Sequence, residues 1–335
     1  MKQQIMVEKE TPKILDEFLK YLQVIKNYSK NTIDGYKLDL MQFFKFINEY
    51  HHFNIQIKDF NIFILLRVQE SDIIAFLVYL NYFKDGSVIT RQRKLTAIRQ
   101  FYRWLINLHP SCMKTNPAGN IDNIKKVERL PKYIPLKKAK ELQSIFNITN
   151  SRYPQRNNAI LCLFLNSGIR LNELINIKIS DVNFKKNTIK VKGKGNRERT
   201  IYFNELCSTK IKEYLEFRER RGEILDVSNF LFLNNKHQKL GIDGIEYICN
   251  KAYKLAGLEE YGYTIHTLRH TAATILYRYV TQDLLVLKEF LGHKHITTTQ
   301  IYTHVYNQQL IDAVNRHPLN LIEDEEKISI PKIAW

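Results

Sequence analysis

The sequence predicts a mainly α-helical protein that has one small β-sheet and is divided into two domains. Apolar residues recur every three or four positions along most of the chain, a spacing that buries one face of a helix. Alternating apolar and basic residues around a glycine turn indicate a single clear β-hairpin at 188–203. The length of 335 residues exceeds that of one typical domain, so we expect two.

Four amphipathic helices are predicted in the first part of the chain. Ser29 is a favourable N-cap, and the residues after it place one apolar stripe along a helix: Ile33, Tyr36, Leu40, Phe43, Phe44 and Ile47. The same spacing occurs before Ser29 and again after Ser71, and a fourth helix is predicted from about Ser87 to Leu108. These helices predict a bundle that forms a first domain over residues 1–115.

Positive charge is concentrated on the fourth predicted helix. The whole chain carries 51 Lys and Arg against 34 Asp and Glu, a formal charge of +17, which points to a polyanionic partner. The fourth helix has no acidic residue between Gly86 and Leu108. A charge run can be only a solvated face, but one-sided charge is also what phosphate contact requires. We predict that this helix faces DNA through Arg91, Arg93, Lys94 and Arg99.

A polar, basic segment with several prolines separates the two predicted domains at residues 116–135. The second domain, at 136–322, begins with a helix over about 137–146 and continues with an apolar helix that ends at Gly168. Arg170 follows that glycine and is, from its neighbours alone, equally a capping cation or a functional group. Residues 323–335 form a C-terminal tail.

Several classes of protein and site are excluded by the composition. Hydrophobic residues make up 44% and charged residues 25%, as in ordinary soluble proteins. The chain has no apolar run long enough to span a membrane, and its start lacks the apolar core of a signal peptide, so we expect a cytoplasmic protein. The four cysteines lack zinc-site spacing, and His266 and His270 lack the intervening glutamate of a zinc protease motif. We predict no metal.

The segment from His266 to Tyr302 holds the densest set of candidate functional residues. It combines Arg269 between two histidines, a turn with further histidines after Gly292, and Tyr302 after a run of threonines. Each of these residues alone is more often structural. A phosphodiester under attack gathers negative charge on its non-bridging oxygens, so its site needs fixed cations and a nucleophile. This segment offers both.

The order of these features resembles the tyrosine recombinases of the phage integrase family, most closely the compact Xer-like members. The resemblance rests on Arg170 in GIRLNEL, Lys194 in GKGNRER, His266 and Arg269 in HTLRH, His293 in LGH and Tyr302 in TTTQIYTHV. It extends over nearly the whole chain, from SKNTIDGY to the closing HPL. It implies a SAM-like N-terminal domain that binds the core site, a C-terminal catalytic domain, and a C-shaped clamp around DNA.

The resemblance also implies roles for these residues. Arg170 and Arg269 would clamp the scissile phosphate, while His266 and His293 would supplement the clamp and share proton handling at the tyrosine hydroxyl. Lys194 would protonate the departing 5′-oxygen, and Tyr302 would be the nucleophile that forms a 3′-phosphotyrosyl link. No cofactor is needed. Three further expectations are that Glu173 orients neighbouring cations, that His270 contacts the catalytic side chains rather than the DNA, and that Thr297 to Thr299 form local hydrogen bonds.

The implied partner is double-stranded DNA with an inverted-repeat core site, bound by a homotetramer that exchanges C-terminal helices and passes through a four-way junction. In the hairpin, Lys192 and Arg197 are expected to contact DNA. The resemblance leaves open whether a second recombinase or an accessory protein takes part. It also leaves open the biological role on nucleoid DNA, which is integration or excision, inversion, or chromosome-dimer resolution. The alternatives are a type IB topoisomerase-like enzyme and a non-catalytic DNA-binding regulator, and the intact set of six residues argues against the regulator.

Overall fold

A computed structural model of the chain describes residues 11–84, 86–125, 131–193, 198–221, 229–281, 283–293, 298, 299 and 302. These residues form two compact units, one on either side of residues 126–130, and each unit has its own apolar core. In the part of the chain that is described, no helix has both the length and the apolar content that crossing a membrane requires. The predicted fold class, mainly α with a small sheet, is confirmed.

Every regular element described in the first unit is a helix. Its elements are α1 (Lys13–Val24), α2 (Lys30–Tyr50), a 3-10 turn (Ile57–Asp59), α3 (Ile62–Leu65), α4 (Glu70–Tyr82) and α5 (Val88–Leu108). Ser29 caps α2 by accepting a hydrogen bond from the Thr32 N–H at 3.4 Å, and Ser87 caps α5 in the same way from Thr90 at 3.2 Å. The short helix α3 was not predicted from the sequence.

Aromatic side chains fill the core of this first unit. Rings from α1, α2, α4 and α5 are almost completely buried, including Phe18, Phe43, Phe44, Phe76 and Phe101. Burying one such side chain contributes about 1.5–3 kcal/mol, so these contacts dominate the packing of the bundle. A buried carboxylate also links two of these helices. Asp39 on α2 accepts a hydrogen bond from Lys94 of α5 at 2.7 Å and another from Arg93 of the same helix.

The second unit places helices around a small sheet. Its elements are α6 (Leu136–Leu142), a 3-10 turn (Ile145–Ile148), α7 (Pro154–Ser167), α8 (Leu171–Leu174), a second turn (Ile179–Asp181), β1 (Val182–Asn183), β2 (Thr188–Lys192), β3 (Glu198–Tyr202), α9 (Glu205–Arg220), α10 (Ile242–Leu255), a third turn (Glu259–Tyr261), α11 (Ile265–Tyr279) and α12 (Leu284–Leu291). The strands are antiparallel in the order β1-β2-β3, and Ile189 pairs with Val182 on one side and Ile201 on the other. The hairpin predicted at 188–203 is present as β2 and β3.

The apolar helix α7 is the centre of this unit. Its residues from Arg156 to Leu165 are all buried, because it packs against α9 and α11. The helix ends at Gly168, whose φ of +58° is the left-handed conformation that favours glycine. A side chain at that position would also crowd Phe290, since a Cβ atom would lie 3.0 Å from its ring. The turn at Gly168 leads directly into the candidate site.

Candidate active site

Arg170 occupies the N-terminal position of α8, just after the turn at Gly168. Its guanidinium donates from Nη1 to Oε1 of Glu173 at 3.0 Å and from Nη2 to the carbonyl of Gly292 at 2.9 Å. The side chain keeps 38% of its surface exposed. Arg170 precedes α8 without a capping hydrogen bond from its side chain, and it presents a partly exposed guanidinium beside the turn at Gly292.

Glu173 joins Arg170 to a second arginine from the sheet. The carboxylate is 3% exposed and accepts from Nε of Arg199 at 3.1 Å and from its Nη2 at 2.8 Å. Burial alone would raise the pKa of Glu173, but the hydrogen bonds and charges of Arg199 and Arg170 outweigh it and hold the pKa below its ordinary value. The expectation that Glu173 orients neighbouring cations agrees with these contacts.

Arg269 lies on α11 and is buried. It donates hydrogen bonds to the carbonyl of Gly168, to the carbonyl of Leu291 at 2.6 Å, and to Nε2 of His293 at 3.2 Å. Burial, together with the charges of Arg170 and Arg199, lowers the pKa of Arg269 to about 10. The group is still cationic at neutral pH. Arg269 and Arg170 therefore hold the same turn, 291–292, from two different helices.

His293 is fixed through both of its ring nitrogens. A guanidinium can only donate, so Nε2 must accept the hydrogen bond from Arg269. The proton of the neutral ring then sits on Nδ1, which donates to the hydroxyl of Thr299 at 3.0 Å. Burial and the charges of Arg269, Arg170 and Arg199 lower the pKa of His293 to about 4, so the ring is neutral in this arrangement.

The turn that carries His293 depends on a glycine. Gly292 ends α12 with a φ of +60°. A Cβ atom there would lie 2.8 Å from Cδ of Arg199, closer than side chains tolerate. Arg199 can lie this close to the turn only because Gly292 has no side chain, and the carbonyl of the same residue accepts the hydrogen bond from Arg170.

Tyr302 is 2% exposed and packs against Ala273, Tyr277, Leu287 and Leu291 of α11 and α12. Its hydroxyl oxygen lies 2.7 Å from Nδ1 of His270, and its backbone N–H donates to the carbonyl of Thr299 at 3.1 Å. Burial raises the pKa of Tyr302 to about 12, although the charge of Arg269 partly opposes this. The phenol is protonated in this arrangement.

The two histidines of α11 differ in position. His266 lies in the first turn and is exposed, whereas His270 lies one turn later and is more than half buried next to Tyr302. The resemblance implied that His266 and His293 share proton handling at the tyrosine hydroxyl, a role for which one of them would have to lie close to that oxygen. Of the three histidines, His270 contacts the Tyr302 hydroxyl in the described structure, and His293 instead contacts Arg269 and Thr299.

The structure thus brings Arg170, Arg269 and His293 together at one turn, with Tyr302 packed beside Arg269's helix. It also adds Arg199, which the sequence analysis did not single out. The signal was present, because side chains two apart in a strand share a face and Arg199 shares one with buried Ile201. Lys194, Arg197, Thr297 and everything after Tyr302, including the predicted tail at 323–335, lie outside the described residues.

The cations predicted to contact DNA on α5 have mixed positions. Lys94 is buried against Asp39, so the prediction that it faces DNA is wrong: it lies on the core side of the helix. Arg99 donates to the carbonyl of Ala118 at 2.9 Å and to Oδ1 of Asn123 at 2.8 Å, which fixes the chain after α5. Arg93 shares Asp39 but keeps 53% of its side chain exposed, and Arg91 is part-buried. In the hairpin, Lys192 is exposed.

The chain matches two family models. The phage integrase family matches residues 137–309, and the N-terminal SAM-like domain of phage integrases matches residues 15–109. The tyrosine recombinase XerC of Caldanaerobacter subterraneus subsp. tengcongensis is 37% identical over 317 residues, which cover 92% of this chain and 88% of that protein. The tyrosine recombinase XerC of Staphylococcus aureus strain JH9 is 34% identical, over 93% of this chain and 99% of that protein.

Solved structures of similar fold include recombinases bound to DNA. The XerH site-specific recombinase in a post-cleavage complex with a palindromic difH substrate has a TM-score of 0.70 and 24% identity, covering 90% of this chain and 83% of that one. A lambda integrase dimer bound to a COC′ core site has a TM-score of 0.61 and 15% identity, covering 85% of this chain and 95% of that one. At these identities the likeness concerns the fold.

Proposed function

The chain belongs to the phage integrase family and is a tyrosine site-specific recombinase, and on that premise we propose that Tyr302 attacks a DNA phosphate held by Arg170 and Arg269. One observation carries this assignment. Two arginines from different helices donate to adjacent carbonyls of a single turn, at Gly292 and Leu291, and His293 follows in the same turn. The two guanidiniums are thereby fixed relative to each other before any substrate binds.

The charge balance of the cluster favours an anionic ligand. Arg170, Arg199 and Arg269 contribute three positive charges, and Glu173 is the carboxylate that two of them contact. His293 is neutral, because its pKa is lowered to about 4. The described cluster therefore carries a net charge of about +2, and buried charge without a counterion is costly. The two non-bridging oxygens of a phosphodiester fit guanidinium donors, which bind such pairs of oxygens well.

The reaction is a transesterification. The Tyr302 hydroxyl loses its proton, its oxygen bonds to the phosphorus, and the bond from phosphorus to the 5′-oxygen breaks. We assign protonation of that 5′-oxygen to Lys194, on the resemblance of its GKGNRER motif. The 3′-phosphotyrosyl product keeps the energy of the broken bond, so a 5′-hydroxyl from a second duplex can reverse the step. The scheme uses only side chains of the protein.

Action on two duplexes requires an assembly. We propose that two protomers bind each inverted-repeat core site, that four act together, and that the reaction passes through a four-way junction. The DNA-bound XerH and lambda integrase structures support a duplex core site as the substrate. The basic α5 helix would cover part of the duplex through its exposed cations. The protein would act on nucleoid DNA, in integration or excision, inversion or dimer resolution, alone or with a second recombinase or accessory protein.

Covalently attached DNA provides the test of this function. DNA that is recovered with SDS-resistant protein from expressing cells is sequenced to find the site. Two duplexes that carry the site and different labels are then incubated with the full chain. We expect strands that join one label to the other. Relaxation of supercoiled DNA without such joint strands would instead identify a nicking and closing enzyme of the topoisomerase class.

A further inference from the structure

Tyr302 needs a specific proton acceptor, because bulk water does not reach it. The side chain is 2% exposed and is enclosed by apolar residues of α11 and α12. Burial raises the pKa of its phenol to about 12. An unassisted phenolate is therefore rare at neutral pH, and an adjacent base has to remove the proton as the nucleophile attacks.

Among the residues that the structure describes, three histidines near Tyr302 are candidates for that base, and their contacts and positions separate them. His293 has both nitrogens occupied, since Nε2 accepts from Arg269 and Nδ1 donates to Thr299. Neither nitrogen has a lone pair left for a phenol proton. His266 is exposed in the first turn of α11. His270 places Nδ1 2.7 Å from the Tyr302 hydroxyl oxygen, within reach for direct proton transfer.

The surroundings of His270 keep its ring neutral and able to accept a proton. Within the described part of the chain, the titratable and charged groups that face it are His266 and Arg269 on its own helix, His293 after α12, and Tyr302. Burial, followed by the charges of His266 and Arg269, lowers the pKa of His270. A phosphate bound by Arg170 and Arg269 would place negative charge near this group. Because an opposite charge favours the protonated form, substrate binding would make His270 a stronger base.

We propose that His270 removes the proton from the Tyr302 hydroxyl during attack on DNA, an inference that rests on the proposed function. In this step the O–H bond of Tyr302 breaks and its proton moves to Nδ1, which leaves an imidazolium that keeps its Nε2 proton. The phenolic oxygen bonds to phosphorus, and the 5′-oxygen leaves with a proton from a separate donor. In religation a 5′-hydroxyl attacks the phosphorus, and His270 returns its proton to Tyr302.

The test follows adduct formation against pH with the full-length protein. The probe is a duplex that carries the recovered site and a sulfur atom in place of the bridging 5′-oxygen, so that protonation of the leaving group does not limit the rate. His270→Asn keeps a polar atom near the position of Nδ1 but cannot take up a proton. We expect it to slow adduct formation about 10²- to 10⁴-fold near neutral pH, the usual contribution of a general base.

The shape of the pH profile separates a base from a merely structural residue. Wild-type protein should reach a plateau as pH rises, whereas His270→Asn should continue to gain rate with pH, because without the base the rate follows the fraction of Tyr302 that is ionised and the pKa of its phenol is raised to about 12. Fluorotyrosine at position 302, which has a more acidic phenol, should speed His270→Asn much more than it changes the protein with His270 intact. His266→Asn should lower the rate without changing the shape of the profile.

Three outcomes would overturn the assignment of His270, and a fourth would remove the proposed function. Faster cleavage by His270→Asn would mean that the contact restrains Tyr302. A pH slope and fluorotyrosine rescue in His266→Asn, but not in His270→Asn, would make His266 the base. An equal loss of rate at every pH in His270→Asn, with no rescue by fluorotyrosine, would make His270 a structural residue. His270→Gln is measured as a second variant. Binding of each variant to the site in a gel-shift assay confirms that it folds. No adduct with the wild-type protein would instead remove the proposed function itself.

Discussion

Arg199 binds both carboxylate oxygens of Glu173, at 3.1 Å through Nε and at 2.8 Å through Nη2. Because Glu173 also binds Arg170, this contact ties strand β3 to the first turn of α8. The strand is the one that follows the segment containing Lys194. A residue in the sheet therefore helps to fix a cation that is proposed to hold the phosphate.

Glu173→Gln should destabilise the second unit by about 3 kcal/mol at neutral pH, since removing one partner of a buried ion pair leaves the other charge uncompensated. The pKa of Glu173 is lowered in the folded protein. Its stabilisation is therefore complete above the ordinary pKa of a glutamate and is lost as pH falls through the lowered folded value. Urea unfolding at pH 7 and at about pH 3 measures this, and the two proteins should differ less at the lower pH.

The matched control for Glu173 is Glu198→Gln on β3. That carboxylate is 65% exposed and lies 3.6 Å from Lys192, so its loss should change stability by no more than about 1 kcal/mol. A variant of Glu173 that unfolds at the same urea concentration as the wild type, at neutral pH, would contradict the buried ion-pair network.

Gly292→Ala should damage the site in two ways. The φ of +60° strains any side chain, and the added methyl group would collide with Arg199. Gly257 offers a control that separates these effects, because its φ is +67° but nothing lies within 4 Å of an added Cβ. Gly257→Ala should cost about 1 kcal/mol of stability, from backbone strain alone. Gly292→Ala should cost clearly more and should also slow adduct formation, and equal losses in the two variants would contradict the predicted crowding.

Lys94→Met should act on the stability of the first unit rather than on DNA binding. Its amine is buried against Asp39, so its loss leaves a buried carboxylate with Arg93 as its remaining partner, at a cost of about 3 kcal/mol. The dependence of DNA affinity on salt should be unchanged. Arg103→Ala, on an exposed position of the same helix, should leave stability unaffected and reduce the salt slope by about 0.9. A reduced slope in Lys94→Met would restore that residue as a DNA contact.

The sequence predicted the elements better than the contacts between them. Apolar spacing and serine N-caps located the long helices of the first unit, and alternation located the hairpin, because these signals are local. Lys94 was wrongly predicted to face DNA because the prediction considered its charge and not its position around the helix. It precedes Ile98 by four residues and Phe101 by seven, so it belongs to the core-facing stripe, and a buried partner such as Asp39 could have been sought.

Contacts distant in sequence could not be read from one chain. The pairing of Glu173 with Arg199 depends on how the sheet packs against α8, across 26 residues. His266 and His270 lie one turn apart on α11, so their spacing cannot decide which of them meets a tyrosine 32 residues after His270. The tertiary packing of α11 and α12 around Tyr302 makes that choice.

The most direct measurement of the central claim compares covalent adducts formed by wild-type protein and by Tyr302→Phe on duplex DNA that carries the recovered site. Tyr279→Phe, at an exposed tyrosine of α11, is the control. Wild-type protein and Tyr279→Phe should form SDS-resistant adducts. Tyr302→Phe should form none while binding the site with unchanged affinity, because the phenyl ring keeps the apolar packing and loses only the hydroxyl. An adduct that persists in Tyr302→Phe would place the nucleophile elsewhere and contradict the account.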